Sequence, residues 1–307
     1  MKIGIVGLSG MSVFMTCDHF HAEGETVTAQ SLCREPGGKG YNQAIAAQRL
    51  GAQVFYCSSC GDDSDGQFCR REAERENIVS FWEIVDRPTA FAHILTDSKG
   101  RNRVTVYRGA ADALSVPFVH QQKTHWLDCD VLLLNLECPI PVLEELLQIG
   151  EEAGIPVILN PAPALPLDSG FLHRFSLLTP NEQEAVILLG LPEATYEPIQ
   201  LAQEFFRQQY VRAVVTLGRQ GALVLENAHA ALFPALSVPA VDTTGAGDCF
   251  NAALAVCLAQ GKTLFQAAEY AINASAYSVQ HPGVLHALPT AQELDSRWHP
   301  IAPSILF

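Results

Sequence analysis

Charge is scarce in this 307-residue chain, and what there is leans one way. Only 17% of the residues are Asp, Glu, Lys or Arg, with 19 basic side chains against 33 acidic ones and a formal net charge of −14. A binder of phosphate backbones needs a basic surface, so nucleic acid is excluded as a partner. An anionic small molecule would have to be held by local donors against this overall field. No apolar run reaches the roughly 20 residues that span a bilayer, so no membrane association is expected. The opening Met1-Lys2-Ile3-Gly4-Ile5-Val6-Gly7 is too soon interrupted for a secretory signal and reads as a first strand. The nine cysteines form no framework, which points to free thiols in a reducing cytoplasm. Cys57 and Cys60 lack a second pair, so a zinc site is not expected. No linker, low-complexity tract or internal repeat divides the chain, which reads as one domain over 1–307.

Two nucleotide signatures are also missing. Gly261-Lys262-Thr263 has the end of a phosphate-binding loop, but Val256 stands where its first glycine is required. Gly245-Ala246-Gly247 does not extend to a dinucleotide fingerprint, because Phe250 occupies the last glycine position. A dinucleotide-dependent oxidoreductase is excluded on that ground.

What remains is an apolar, globular chain long enough for a large core. Short aliphatic runs alternate with helical patterns, the mark of a mostly parallel sheet covered on both faces. Strands are expected at Ile3–Val6, Val54–Ser58, Val131–Asn135, Val157–Asn160, Leu177–Thr179, Ala213–Leu217, Ala222–Leu225 and Leu236–Val241. Helices are expected at Asn42–Leu50, Gly66–Glu76, Val142–Ala153, Glu182–Leu189, Ile199–Gln209, Asp248–Ala259 and Thr263–Val279. Two stretches, about 11–35 and 81–110, carry strand-like segments without helices (Thr26–Leu32, Ala90–Leu95, Arg103–Tyr107). They read equally as a small β lid able to exclude water from a ligand or as an edge extension of the main sheet.

The most informative stretch is Asp242-Thr243-Thr244-Gly245-Ala246-Gly247-Asp248. Glycines at a helix start let a ligand approach the backbone, and free N–H groups there attract phosphate. A carboxylate at the same point is odd for an anion site. Asp248 is either a helix N-cap or a base that takes a proton from the group receiving a transferred anion. Gly37-Gly38-Lys39-Gly40 opens another helix, with Lys39 and Asn42 offering donors suited to a polyhydroxylated molecule. Glu137, Asn160, Asn181 and Thr216 follow apolar strands, and the carboxyl ends of strands are where open α/β sheets bind ligands. Asn181 and Glu184 have the spacing of a capping box, or they lie near a nucleotide's phosphates and its Mg²⁺. Thr216–Gly221 reads as strand, tight turn and strand. Cys249 reads as a packing residue, or as a thiol acidified at a helix start.

Taken in order, these pieces resemble the PfkB-type carbohydrate kinases of the ribokinase-like superfamily over essentially the whole chain. The resemblance is carried by Gly24–Val27, Gly37–Gly40 with Asn42, Gly61-Asp62-Asp63, Asn160-Pro161-Ala162-Pro163, Thr179-Pro180-Asn181-Glu182, Thr216-Leu217-Gly218 and Asp242–Asp248. It implies a three-layer α/β/α sandwich with a central, mostly parallel sheet and a small β-sheet lid through which two chains pair as a homodimer. It implies ATP-dependent phosphorylation of a hydroxyl on a small sugar, with Asp248 as base and the Gly245, Ala246 and Gly247 backbone as anion hole. Sugar recognition falls to Ser12, Gly38, Lys39, Asn42 and Glu137. Nucleotide contacts fall to Asn181, Glu184, Thr216, Gly218, Gly221 and Asn273. Glu184 would hold Mg²⁺ through water, and Asp242, Thr244 and Gly283 match a monovalent-cation (K⁺) site.

The chain departs from the ribokinase pattern after the first strand. Gly10 and Ser12 stand where an Asn-x-Asp element is usual, and a serine cannot clamp two hydroxyls as a carboxylate does. The substrate therefore differs from ribose, or a lid residue replaces that contact. A nucleoside kinase, with Phe14, Tyr41 or Tyr107 gripping the base, and a non-catalytic sugar-binding regulator are the competing readings.

Overall fold

The computed structural model describes residues 1–307. Its strands, in chain order, are β1 Lys2–Val6, β2 Gly10–Thr16, β3 Ser31–Gly37, β4 Gln53–Gly61, β5 Val79–Val85, β6 Ala90–Thr96, β7 Asn102–Tyr107, β8 Val131–Asn135, β9 Val157–Asn160, β10 Leu177–Leu178, β11 Arg212–Thr216, β12 Ala222–Glu226, β13 His229–Phe233 and β14 Ser304–Ile305. Ten of them form one sheet in the order β14-β13-β12-β11-β10-β9-β8-β1-β4-β5. Pairing is parallel from β11 to β5 and antiparallel through β12, β13 and β14.

Side chains alternate across this sheet, as the pleat requires. Ile3, Ile5, Val131, Leu133, Val214 and Val224 pack on one face, under the helices Lys39–Arg49, Ala246–Ala259 and Leu264–Ser278. Val6, Leu132, Leu134, Ala213, Val215 and Leu223 pack on the other, against Ile140–Ala153, Glu182–Leu188 and Pro198–Arg207. The result is a three-layer α/β/α sandwich. Strand order reverses beside β1, since the chain runs outward through β4 and β5 before returning to β8. Such a reversal opens a crevice at the carboxyl ends of the strands. Close approach keeps the crevice narrow: a Cβ on Gly7 would lie 2.6 Å from Gly40 Cα, so two glycines let the Lys39–Arg49 helix touch the end of β1.

The lid is a separate sheet in the order β3-β2-β6-β7. Several sequence expectations fail here. Thr26–Leu32 is mostly irregular, with the strand at Ser31–Gly37, and β2 had no clear signal. β5 falls within the expected lid span but pairs with β4 at the edge of the main sheet. Leu236–Val241 is not a strand; its alternation reflects loop residues packed beside a cavity rather than a ladder. Helix starts also moved. The Lys39–Arg49 helix begins three residues before the expected Asn42, because Gly38, at φ 107°, turns the chain directly into it.

Candidate active site

Asp248 is not a cap. Gly245 caps the Ala246–Ala259 helix in a left-handed conformation (φ 77°), which puts Asp248 inside the first turn with its side chain buried. Its Oδ2 accepts from Asn42 Nδ2 at 2.8 Å and its Oδ1 from Gln43 Nε2 at 3.3 Å, both in the Lys39–Arg49 helix some 200 residues away in sequence. Gln43 is itself fixed: Nε2 also donates to Asn160 Oδ1 (3.1 Å), and Oε1 accepts from Asn135 Nδ2 (3.4 Å). Asn160 Nδ2 in turn donates to Thr179 O (3.1 Å). A chain of buried amides from β8, β9 and the Lys39–Arg49 helix thus holds one carboxylate in one orientation. Gln43 and Asn135 had no motif to announce them. The available signal was two amides side by side at the start of an apolar helix.

Burial raises the Asp248 carboxyl above the usual range, while the Lys39 ammonium and the Asn42 and Gln43 amides pull it back. Glu137, just beyond β8, accepts from Lys39 N at 2.7 Å, and burial pushes its carboxyl up to about 7. Burial works against the charge on Lys39, but Asp248, Glu137 and Glu184 outweigh it and raise its pKa. Cys249 is buried and its thiol is pushed up, so the acidified-thiol reading fails.

The Thr243–Asp248 turn is a partition between two cavities. A smaller one, about 220 Å³, is lined by Ser12, Gly38, Lys39, Asn42, Glu137, Thr244, Gly245 and Asp248 together with lid residues including Phe14, Ala92 and Val106. A larger one, about 410 Å³ and mostly apolar, is lined by Thr216, Gly218, Gly221, Thr243, Ala246, Gly247 and Phe250. Arg219, which had no role in the sequence reading, lines it too. At the partition, Ala246 N–H turns back onto Thr243 O (3.3 Å). The N–H groups of Gly245, Gly247 and Asp248 have no acceptor in the chain, as expected at a helix start. A Cβ on Gly247 would meet nothing within 4 Å, so this backbone is open to a ligand.

The other expected residues divide. Asn181 and Glu184 form a full capping box: Asn181 Oδ1 accepts from Glu184 N and Glu184 Oε2 accepts from Asn181 N, each at 2.8 Å. Glu184 Oε1 and Asn181 Nδ2 stay uncommitted, and Asn181 bridges to Thr216 at the sheet's carboxyl edge. Asp242 gathers its own loop, with Oδ1 accepting from Thr244 N (2.9 Å) and Oδ2 from Gly283 N (3.2 Å). Asn273 clamps the C-terminal segment: it donates both amide hydrogens, to Glu269 O and His299 O, and accepts from His299 N, at the wall of a third cavity that shares Leu236, Val238 and Ala276 with the larger one. Tyr41 lies in the core and Tyr107 is exposed, so neither grips a base in the small cavity.

The model of the pfkB family of carbohydrate kinases matches residues 2–291. The chain is similar to the ribokinase of Bacillus subtilis, 35% identical over 296 residues that cover 96% of this chain and 98% of that one. It is 33% identical over 292 residues to the ribokinase of Haemophilus influenzae, covering 94% and 95% of the two chains. Among solved structures, the Arabidopsis thaliana ribokinase complexed with ribose and ATP superposes with a TM-score of 0.87 at 25% identity, covering 97% of this chain and 99% of that one.

Proposed function

The chain belongs to the pfkB family of carbohydrate kinases, and we propose that within this ATP-dependent activity it phosphorylates a hydroxyl of a neutral, ribose-like sugar seated in the smaller cavity. The observation that carries the reading is the partition. One turn presents a buried carboxylate to the small cavity and unpaired N–H groups beside the large one.

Asp248 takes the proton from the acceptor hydroxyl as its oxygen bonds to the γ-phosphorus of ATP and the bond to the β-phosphate oxygen breaks, releasing ADP. Charge on the migrating group is met by the Gly245, Gly247 and Asp248 N–H groups and by the Lys39 ammonium, which forms no ion pair within the chain. Positioning and charge stabilisation of this kind do most of the work in phosphoryl transfer. Asn42 Oδ1 is buried without a partner, which suits a second hydroxyl donating to it. The small cavity lies below the roughly 300–1,000 Å³ of drug-sized sites, which favours a monosaccharide over a nucleoside.

The residues present fit Mg²⁺ held through water. No group of three or more His, Cys, Asp or Glu converges on one point, but Glu184 keeps one oxygen free, and Mg²⁺ commonly keeps waters and phosphate oxygens around one carboxylate. When bound, Mg²⁺ neutralises charge on the phosphates. The Asp242, Thr244 and Gly283 loop is proposed to respond to K⁺. Leu32 and Tyr107, exposed on the lid, support pairing of two lids in a homodimer. Eight of the nine free cysteines are buried, in keeping with a reducing cytoplasm; no helix is long and apolar enough to cross a membrane.

The direct test offers MgATP with a panel of free pentoses, ketohexoses and nucleosides and measures ADP release. Turnover of nucleosides in preference to free sugars would overturn the assignment.

A further inference from the structure

The lid contributes a single ionisable group to the small cavity, Glu35. It lies in β3 directly opposite Ser12 of β2. Directly opposed residues send their side chains from the same face of a sheet, and here that face is the cavity wall. Glu35 is 7% exposed. Its Oε1 accepts from Val284 N at 3.0 Å, the Leu285 N–H also reaches the carboxylate, and no side-chain donor meets it. No lysine or arginine pairs with it. The Lys39 ammonium acts on Asp248, Glu137 and Glu184 but not on Glu35.

A carboxylate met only by backbone amides, with no lysine or arginine beside it, keeps capacity to accept further hydrogen bonds from the cavity that it lines. Around it the lid wall is short of polar groups: Ser12 offers one hydroxyl, while Ala90, Ala92 and Ile94 offer none. The cavity as a whole sets Glu35, Glu137 and Asp248 against Lys39 alone, and no arginine or histidine lines it. An anionic ligand is repelled there, whereas a neutral polyol brings the hydroxyl donors that are lacking.

We propose that Glu35 is the specificity-determining carboxylate of the acceptor site, receiving hydroxyl hydrogen bonds from the lid side of a neutral sugar beside Ser12 and excluding sugars that carry a phosphate. Its Oε1 meanwhile ties the lid strand to Val284, whose side chain packs against Gly245 at the partition. This inference rests on the kinase reading for the role of the ligand as phosphoryl acceptor, but not for its binding.

The experiment compares wild type with Glu35→Gln and Glu35→Ala, using free pentoses and ketohexoses and their phosphate esters. Turnover, calorimetric sugar binding and thermal unfolding are all read. Glu35→Gln retains a carbonyl acceptor for Val284 N–H, so its Tm and its KM for ATP should hold. Its KM and Kd for the sugar should rise roughly 10- to 100-fold, the effect of losing charge-assisted bonds. An unchanged sugar KM in Glu35→Gln, with only a lowered Tm in Glu35→Ala, reduces Glu35 to a structural tie and overturns the assignment while leaving the kinase intact. If a sugar binds wild type without being turned over and Glu35→Gln loses that binding, the assignment stands and the kinase reading falls. Tighter binding of a phosphate ester than of its free sugar, or no binding of any neutral sugar, overturns the assignment outright.

Discussion

Replacing Asp248 by Asn separates chemistry from stability. Without Asp248 no carboxylate remains on the turn between the two cavities, Glu35 and Glu137 lying on other walls, and loss of a general base costs about 10²–10⁴-fold, or roughly 3–5 kcal/mol of barrier. The fold should not suffer. Asn42 has a free Oδ1 and can rotate its amide to accept from the new Nδ2. Gln43 is locked by Asn135 and Asn160, but it meets the retained carbonyl oxygen and needs no change. Both hydrogen bonds survive, and a buried charge disappears. Burial raises the Asp248 carboxyl in the folded state, so the fold holds this proton more tightly than the unfolded chain does. Stability from this group is therefore complete below the ordinary aspartate range and is lost as pH rises through the raised folded value. Asp248→Asn should keep or increase Tm at neutral pH and flatten that slope. ADP release under saturating MgATP and sugar, thermal unfolding and a pH–rate profile check each part. Wild-type kcat should show an acidic limb above the ordinary aspartate value near 3.9, and the variant's residual rate should lack it. A loss smaller than tenfold, or a loss matched by unfolding, would refute Asp248 as the base.

Glu137→Gln should remove a decline in stability between the ordinary glutamate range and about pH 7, since burial lifts this carboxyl to about 7. A shift of that size is on the order of 3 kcal/mol at most, visible as a pH-dependent Tm in wild type that levels off in the variant. Gly245→Ala forces a side chain at φ 77° with its Cβ 2.6 Å from Val284 Cγ1. It should cost about 1–3 kcal/mol and most of the activity, whereas Gly247→Ala, whose Cβ meets open space, should leave Tm unchanged and raise the KM for ATP. Asn42→Ala removes a donor that lowers the Asp248 carboxyl, so the acidic limb of kcat should move to higher pH while the sugar KM rises. Adding K⁺ to protein prepared without it should raise kcat, and Asp242→Ala should abolish the response; a K⁺ effect that persists in the variant would locate the cation elsewhere.

The site was legible in the sequence where the chemistry depends on contiguous backbone. Glycines at 37, 38, 245 and 247 with their neighbours Lys39, Asn42 and Asp248 announced two helix starts facing a ligand, because a turn's geometry is written in the residues that make it. The alternation of aliphatic runs and helical patterns determined the layered sheet in the same way, since each strand must bury both faces. Three-dimensional contacts decided the rest. That the Asp248 carboxylate is held in the cavity wall, rather than spent on its own helix, depends on Asn42 and Gln43, about 200 positions away. β5 joined the main sheet rather than the lid because β4 offered it a free edge, which no local pattern records. Glu35 reads as one more polar residue of an exposed strand until β2 pairs with β3 and turns that position inward, opposite Ser12. Sequence by itself determined the reaction class, because phosphoryl transfer is carried by short backbone motifs. The shape and charge of the acceptor cavity were decided by tertiary structure alone, because its walls come from strands and loops brought together only when the chain folds.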